Sequence, residues 1–162
     1  MTEQNYLKTF HFLSTKKLVK PIILLLKLTT LSVYIIYPAV LVYLLIYKPE
    51  RLAVTVLAPF ISFVLVTIYR NLKNAKRPYE AYGFKPLYPK NSLGKSFPSR
   101  HTFSVFVIAT AILPVNLLLG ITLLLFGLII AFSRVVLGIH FIKDVVCGAV
   151  IGILCGVVCF IF

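Results

Sequence analysis

Residues Ser133 to Asp144 read SRVVLGIHFIKD. An arginine, a histidine, a lysine and an aspartate are gathered there between two runs, Thr102–Phe132 and Val145–Phe162, that carry no charged side chain. At ~1.5 Å of rise per residue the second run reaches about 27 Å, close to the ~30 Å hydrocarbon core of a bilayer. The polar stretch is therefore a loop between membrane helices, and only helices or closed barrels satisfy their backbone groups in lipid.

Working outward, Leu28–Tyr47 and Leu52–Tyr69 are two more uncharged runs, separated by the turn Lys48-Pro49-Glu50-Arg51 and carrying aromatics near their ends as interfacial belts do. Thr102–Phe132 is interrupted at Pro114 and Asn116, so LPVN reads as a turn between two helices. The first of these, from Ser99 to Leu113, is short, roughly 22 Å. Residues 5–27 interleave Lys8, Lys16, Lys17, Lys20 and Lys27 with Phe10, Phe12, Leu13, Ile22 and Leu26, the mixture of a basic amphipathic segment lying on the membrane surface. The predicted architecture is an all-α integral membrane protein: a compact bundle of about five transmembrane helices over residues 28–162, preceded by a basic amphipathic N-terminal segment, residues 1–27.

The composition agrees. With 60% hydrophobic and 13% charged residues, the chain is too apolar for a soluble domain of 162 residues. Its formal net charge of +13 flanks apolar runs, which points to anionic or phosphate-bearing lipids and away from nucleic acid. Cys147, Cys155 and Cys159 all lie in the last run without the paired spacing of a zinc site or a disulfide framework, and read as packing residues. The mixed, basic N-terminus lacks the pattern of a cleaved signal peptide, so the whole chain is expected to stay. Gly148, Gly152 and Gly156 recur every fourth residue. They give the last helix a nearly bare face, suited to packing within the bundle rather than to a homodimer seam.

Counting alternately through the spans brings the loops Arg70–Arg100 and Arg134–Asp144 to one side of the membrane, while the LPVN turn on the other side is uncharged. His140 and Asp144 are one helical turn apart, so the carboxylate can hold one imidazole nitrogen and free the other as base or nucleophile. Taken alone, the pair is explained as well by an aspartate complementing a helix N-terminus and a satisfied interfacial histidine. Arg70 and Arg77 are two turns apart and share a face if the helix runs to Pro78, a pair able to bind phosphate in bidentate fashion. Arg70 by itself also fits a snorkelling anchor. Ser99 stands at the N-cap of a helix whose dipole and N–H groups suit an anion, with Arg100 and His101 adjacent. The loop Tyr79–Phe97 alternates aromatics with Lys85, Lys90 and Lys95, as a membrane-lying funnel for an anionic headgroup would; packing of those aromatics on neighbouring helices is the alternative.

RNLKNAKRP (Arg70–Pro78), PSRH (Pro98–His101) and SRVVLGIHFIKD resemble, in order, the three signature motifs of the type 2 phosphatidic acid phosphatase (PAP2) superfamily, the membrane lipid phosphate phosphatases related to vanadium haloperoxidases. The third matches in full. Arg70 stands where the first motif usually has lysine, and Arg100 where the second usually has glycine; members also often have six spans. The resemblance implies a catalytic set of His140 as nucleophile forming a phosphohistidine, Asp144 holding it, and His101 protonating the departing lipid oxygen. It implies phosphate binding by Arg70, Arg77, Arg134 and Ser99, with Arg100 as an added cation, and no metal or other cofactor.

The function expected is a multi-pass cell-membrane phosphatase for a phospholipid or polyprenyl (di)phosphate, of the undecaprenyl diphosphate, phosphatidylglycerophosphate or phosphatidate class, with its active site on the extracytoplasmic face. A lipid phosphotransferase with an alcohol acceptor is the alternative within enzymes. A non-catalytic anionic-lipid-binding protein would explain the charge but not the joint presence of His101, His140 and Asp144.

Overall fold

The computed structural model describes residues 1–90 and 92–161. Its described residues form seven α-helices and no strand: α1 Glu3–Thr15, α2 Val19–Tyr47, α3 Pro49–Lys73, α4 Pro78–Tyr82, α5 Arg100–Ile112, α6 Leu117–Val136 and α7 Ile142–Gly156, the last extended by a 3₁₀ turn, Val157–Phe160. Four are long and apolar enough to cross a membrane: α2, α3, α6 and α7 with its extension. Their outer faces carry exposed large apolar side chains such as Leu24, Leu31, Ile35, Phe60, Leu65, Leu118 and Leu154. Such a surface is compatible with lipid and not with water.

The fifth apolar helix, α5, has only 13 residues and is shorter than the four candidate spans. It is the central helix, with Phe103, Val105, Val107, Ala109, Ala111 and Ile112 all nearly inaccessible. Enclosed by α3, α6 and α7, it does not have to match the bilayer thickness. LPVN forms the expected turn, and Asn116 caps α6 by accepting from Leu119 N–H at 2.9 Å. Pro59 lies inside α3 and leaves the Thr55 carbonyl without its helical donor. The hydroxyl of Tyr37 on α2 donates to that carbonyl at 2.9 Å, joining the first two spans where the ladder is broken.

The glycine face is used inside the bundle. A Cβ on Gly148 would stand 2.7 Å from Ser99 O, one on Gly152 2.7 Å from Phe103 O, and one on Gly156 2.5 Å from Thr110 Cβ. Backbone meets backbone along α5 and α7, and neither can yield by rotating a side chain. Gly152→Ala should therefore destabilise the fold by about 1–3 kcal/mol, read as a lowered thermal midpoint in detergent; an unchanged midpoint would mean the helices separate at no cost.

Two sequence expectations need correction. The boundary at residue 27/28 falls inside α2, which starts at Val19: Pro21 is tolerated in a first turn, and exposed Lys20 and Lys27 extend outward instead of ending the helix. Nor does α3 carry Arg70 and Arg77 on one helical face. It ends at Lys73 with Asn74 in the left-handed region (φ 41°), and Arg77, held extended before Pro78, returns by a non-helical path.

Candidate active site

The two polar loops, residues 74–99 and 137–141, meet at one end of the bundle, capped by the start of α5 and the start of α7. His140 lies between α6 and α7 at 2% exposure, and Asp144 in the first turn of α7 is fully buried. Asp144 Oδ2 receives Phe141 N–H at 3.1 Å, lies 3.4 Å from His140 Nδ1 and accepts from the hydroxyl of Ser96. That hydroxyl is also 3.2 Å from His140 Nδ1. On the other side of the ring, Arg77 Nη1 is 3.4 Å from Nε2. A guanidinium can only donate, so Nε2 presents its lone pair and Nδ1 carries the proton of the neutral ring. Burial pushes the imidazole well below the usual histidine range, to about 4, against the hydrogen bond to Asp144, which pulls it up. Near neutral pH the ring is uncharged with a fixed tautomer, its Nε2 lone pair facing Arg77.

The cations divide into two kinds. Arg70 is committed to backbone: Nη1 donates to Ser96 O at 3.2 Å and to Pro98 O, and Nη2 donates to Lys95 O. It braces the loop that carries Ser96 and Ser99. Arg77 is partly committed, donating from Nε to Gly94 O at 3.0 Å and from Nη1 to Ile139 O at 3.4 Å. Glu80 anchors the same loop through Arg77 N–H and Gly94 N–H. Arg134 is different. It is 5% exposed, its guanidinium lies 6.0 Å from the Tyr88 ring centre, and its Nε is buried without a hydrogen-bond partner. Among the described residues its side chain forms no hydrogen bond. A buried guanidinium nitrogen left without an acceptor is costly to hold. Lys90, in the same loop, is half-buried and pushed down to about 8 by burial and then by the charges of Arg77 and Arg134.

Ser99 occupies the N-cap of α5 but makes no capping bond; its hydroxyl accepts from Thr102 at 3.0 Å, and its N–H donates to Asp144 O at 2.8 Å. That backbone bond ties the second motif to the third. Arg100 and His101 point to the other flank, into a groove of about 500 Å³ between α2, α3, α5 and α6. Tyr34, Tyr37, Pro59 and Phe63 line it, and the Arg100 guanidinium sits 5.5 Å from the Phe63 ring centre. The groove is apolar along its length and charged at one end.

Of the residues expected from sequence, His140, Asp144 and Arg77 are in direct contact, Arg134 and Ser99 flank them, and Arg70 lies behind the loop. Arg100 and His101 stand at the groove mouth without a hydrogen bond to His140 among the described residues. Ser96 escaped the sequence reading: an isolated serine in a loop has no spacing signal, although it bonds both members of the pair. The funnel expectation for the loop fails in its aromatic half. Tyr82 and Phe84 pack against Tyr6, Phe97 packs against Tyr69, Tyr79 donates to Ser92 O, and Tyr88 faces Arg134. Most of these rings turn inward because the loop has its own neighbours to cover.

Residues 51–162 match the family profile described as PAP2 superfamily. The chain is 33% identical over 102 residues to undecaprenyl-diphosphatase BcrC of Bacillus subtilis, covering 63% of this chain and 50% of that protein. It thus spans about half the length of that curated relative. The crystal structure of Aquifex aeolicus LpxE superposes with a TM-score of 0.71 at 31% identity, over 90% of this chain and 86% of that one. A transmembrane PAP2-type phosphatidylglycerolphosphate phosphatase from Bacillus subtilis shares the fold, with a TM-score of 0.66 at 20% identity over 88% and 75% of the two chains.

Proposed function

Because the chain belongs to the PAP2 superfamily, we propose that it is a membrane lipid phosphate phosphatase, with a lipid diphosphate as preferred substrate, working through a phosphohistidine at His140. The observation that carries this reading is the state of His140: Nδ1 is held by Asp144 and Ser96 while Nε2 faces Arg77. In the proposed reaction Nε2 attacks the terminal phosphorus as the bond to the lipid-side oxygen breaks. The electron pair leaves on that oxygen, which takes a proton from His101. Water, giving a proton back to the His101 ring as it attacks, then cleaves the phosphohistidine, releasing inorganic phosphate and restoring both imidazoles. Arg77, Arg134 and the Ser99 N-cap surround the transferring oxygens, where phosphoryl transfer concentrates its charge. Arg70 serves by bracing the 95–98 backbone.

The lipid chain fits the groove, and Arg100 at its mouth gives a cation for a second phosphate on the leaving side, a position where the family motif usually has glycine. The name of the 33% identical relative supports the same class. The charge-neutralising groups are side chains; of the two carboxylates near the site, Glu80 is engaged by protein donors through both oxygens and Asp144 through Oδ2, its Oδ1 being buried without a hydrogen-bond partner among the described residues.

Purified protein in detergent with EDTA should release inorganic phosphate from undecaprenyl diphosphate faster than from phosphatidylglycerophosphate or phosphatidate, and vanadate should inhibit it. Arg100→Gly should narrow that preference. Phosphate transferred to an added alcohol instead of released would favour the phosphotransferase, and loss of activity in EDTA restored by Mg²⁺ would overturn the side-chain mechanism.

A further inference from the structure

The His140 loop is closed from outside by a helix that lies beyond the family match. Residues 51–162 carry the family signature, yet α1 is seated directly on the loop 137–141. Its buried side chains are Tyr6, Phe10 and Leu13, one face at helical spacing. Tyr6 has no exposed surface. Its ring neighbours Phe84, Tyr82 and Phe141 at centroid distances of 5.3, 6.3 and 6.4 Å. Gly138 turns the loop at φ +77°, and a Cβ there would meet Phe10 Cζ at 2.6 Å and Phe84 Cε2 at 3.0 Å. The N-terminus is fastened as well, with Tyr82 Oη donating to Met1 O at 3.3 Å.

The polar contact is specific. Tyr6 Oη donates to the backbone carbonyl of His140 at 3.0 Å. The other groups of the loop are held from within: His140 N–H and Ile139 N–H donate to Arg134 O, Phe141 N–H to Asp144 Oδ2, and Ile139 O accepts from Arg77. Among the described residues, Tyr6 supplies the only side-chain donor to the His140 carbonyl. That carbonyl defines the peptide plane following the histidine, so the bond fixes the backbone rotation that aims the ring. A buried carbonyl deprived of its donor reorients toward another.

We propose that Tyr6 is a positioning residue for the His140 imidazole, and that α1 is a strap which sets the aim of the nucleophile from outside the family core. The inference rests on the phosphatase reading above. Displacements of the order of 1 Å in a reacting group lower rates by up to about a hundredfold, so Tyr6→Phe, which removes one hydroxyl and keeps the ring, should lower kcat about tenfold with KM retained.

The test is rapid-quench turnover of undecaprenyl diphosphate in detergent, following protein-bound phosphate, with vanadate-induced thermal stabilisation measured in parallel. Wild-type protein should show a phosphoenzyme burst and a vanadate shift. Tyr6→Phe should keep the burst amplitude, slow the burst rate and weaken the vanadate shift, while Tyr82→Phe, which loosens only the N-terminus, should match wild type. A merely structural role would instead lower the amplitude at an unchanged rate, and that result, or wild-type behaviour of Tyr6→Phe, overturns the proposal. Absence of both burst and vanadate shift in the wild type would overturn the phosphatase reading and the strap with it.

Discussion

His140→Ala should lower phosphate release by about 10⁴-fold or more, since it removes the atom that forms the covalent bond in the proposed mechanism. The variant should still fold, because the imidazole fills a polar pocket whose walls are tied to each other: Ser96 bonds Asp144, Phe141 N–H bonds Asp144, and Ser99 N–H reaches Asp144 O without the ring. Acid-labile, base-stable labelled phosphate should be trapped on denatured wild-type protein and be missing from the variant. Asp144→Asn should lose less, about 10²-fold, as it keeps the nucleophile and loses its orientation. Labelled phosphate retained by His140→Ala would place the nucleophile elsewhere.

Much of this arrangement was legible in the chain. Uncharged runs of about twenty residues mark the spans because a helix of that length satisfies its own backbone across lipid, and the turn at LPVN follows from a proline and an asparagine in an otherwise apolar run. The His140–Asp144 pair was visible because one helical turn is a local relation. What failed were relations between distant segments. Nothing in SRVVLGIHFIKD says that a tyrosine 134 positions away in sequence holds its backbone, or that Ser96 lies under both members of the pair. The arginines show the same limit: Arg70 and Arg134 look alike as motif cations, and only packing spends one on carbonyls and leaves the other empty-handed. Charge is a poor marker of helix ends here, since Lys20 and Lys27 extend their heads outward from within α2.

That difference between the arginines carries the second large effect. Arg134→Met should cut turnover about 10³-fold, the scale on which an arginine stabilises a transferring phosphoryl group, yet it should make the unliganded protein more stable. In a guanidinium at 5% exposure, the Nε is buried without an acceptor among the described residues. Its face-on approach to Tyr88 returns only about 0.5–2 kcal/mol, less than the several kcal/mol that a buried unpaired charge costs. Methionine of similar length removes that cost and fills the space. The thermal midpoint of the variant should rise in phosphate-free detergent, by an amount equivalent to about 1–3 kcal/mol. Vanadate, which should stabilise wild type by binding the folded state, should shift the variant little. Activity and stability therefore move in opposite directions only if Arg134 is held empty for an anion. If Arg134→Met is destabilised and inactive together, the arginine is a structural element of α6, and the phosphoryl group must be gripped by Arg77 and the Ser99 N-cap without it.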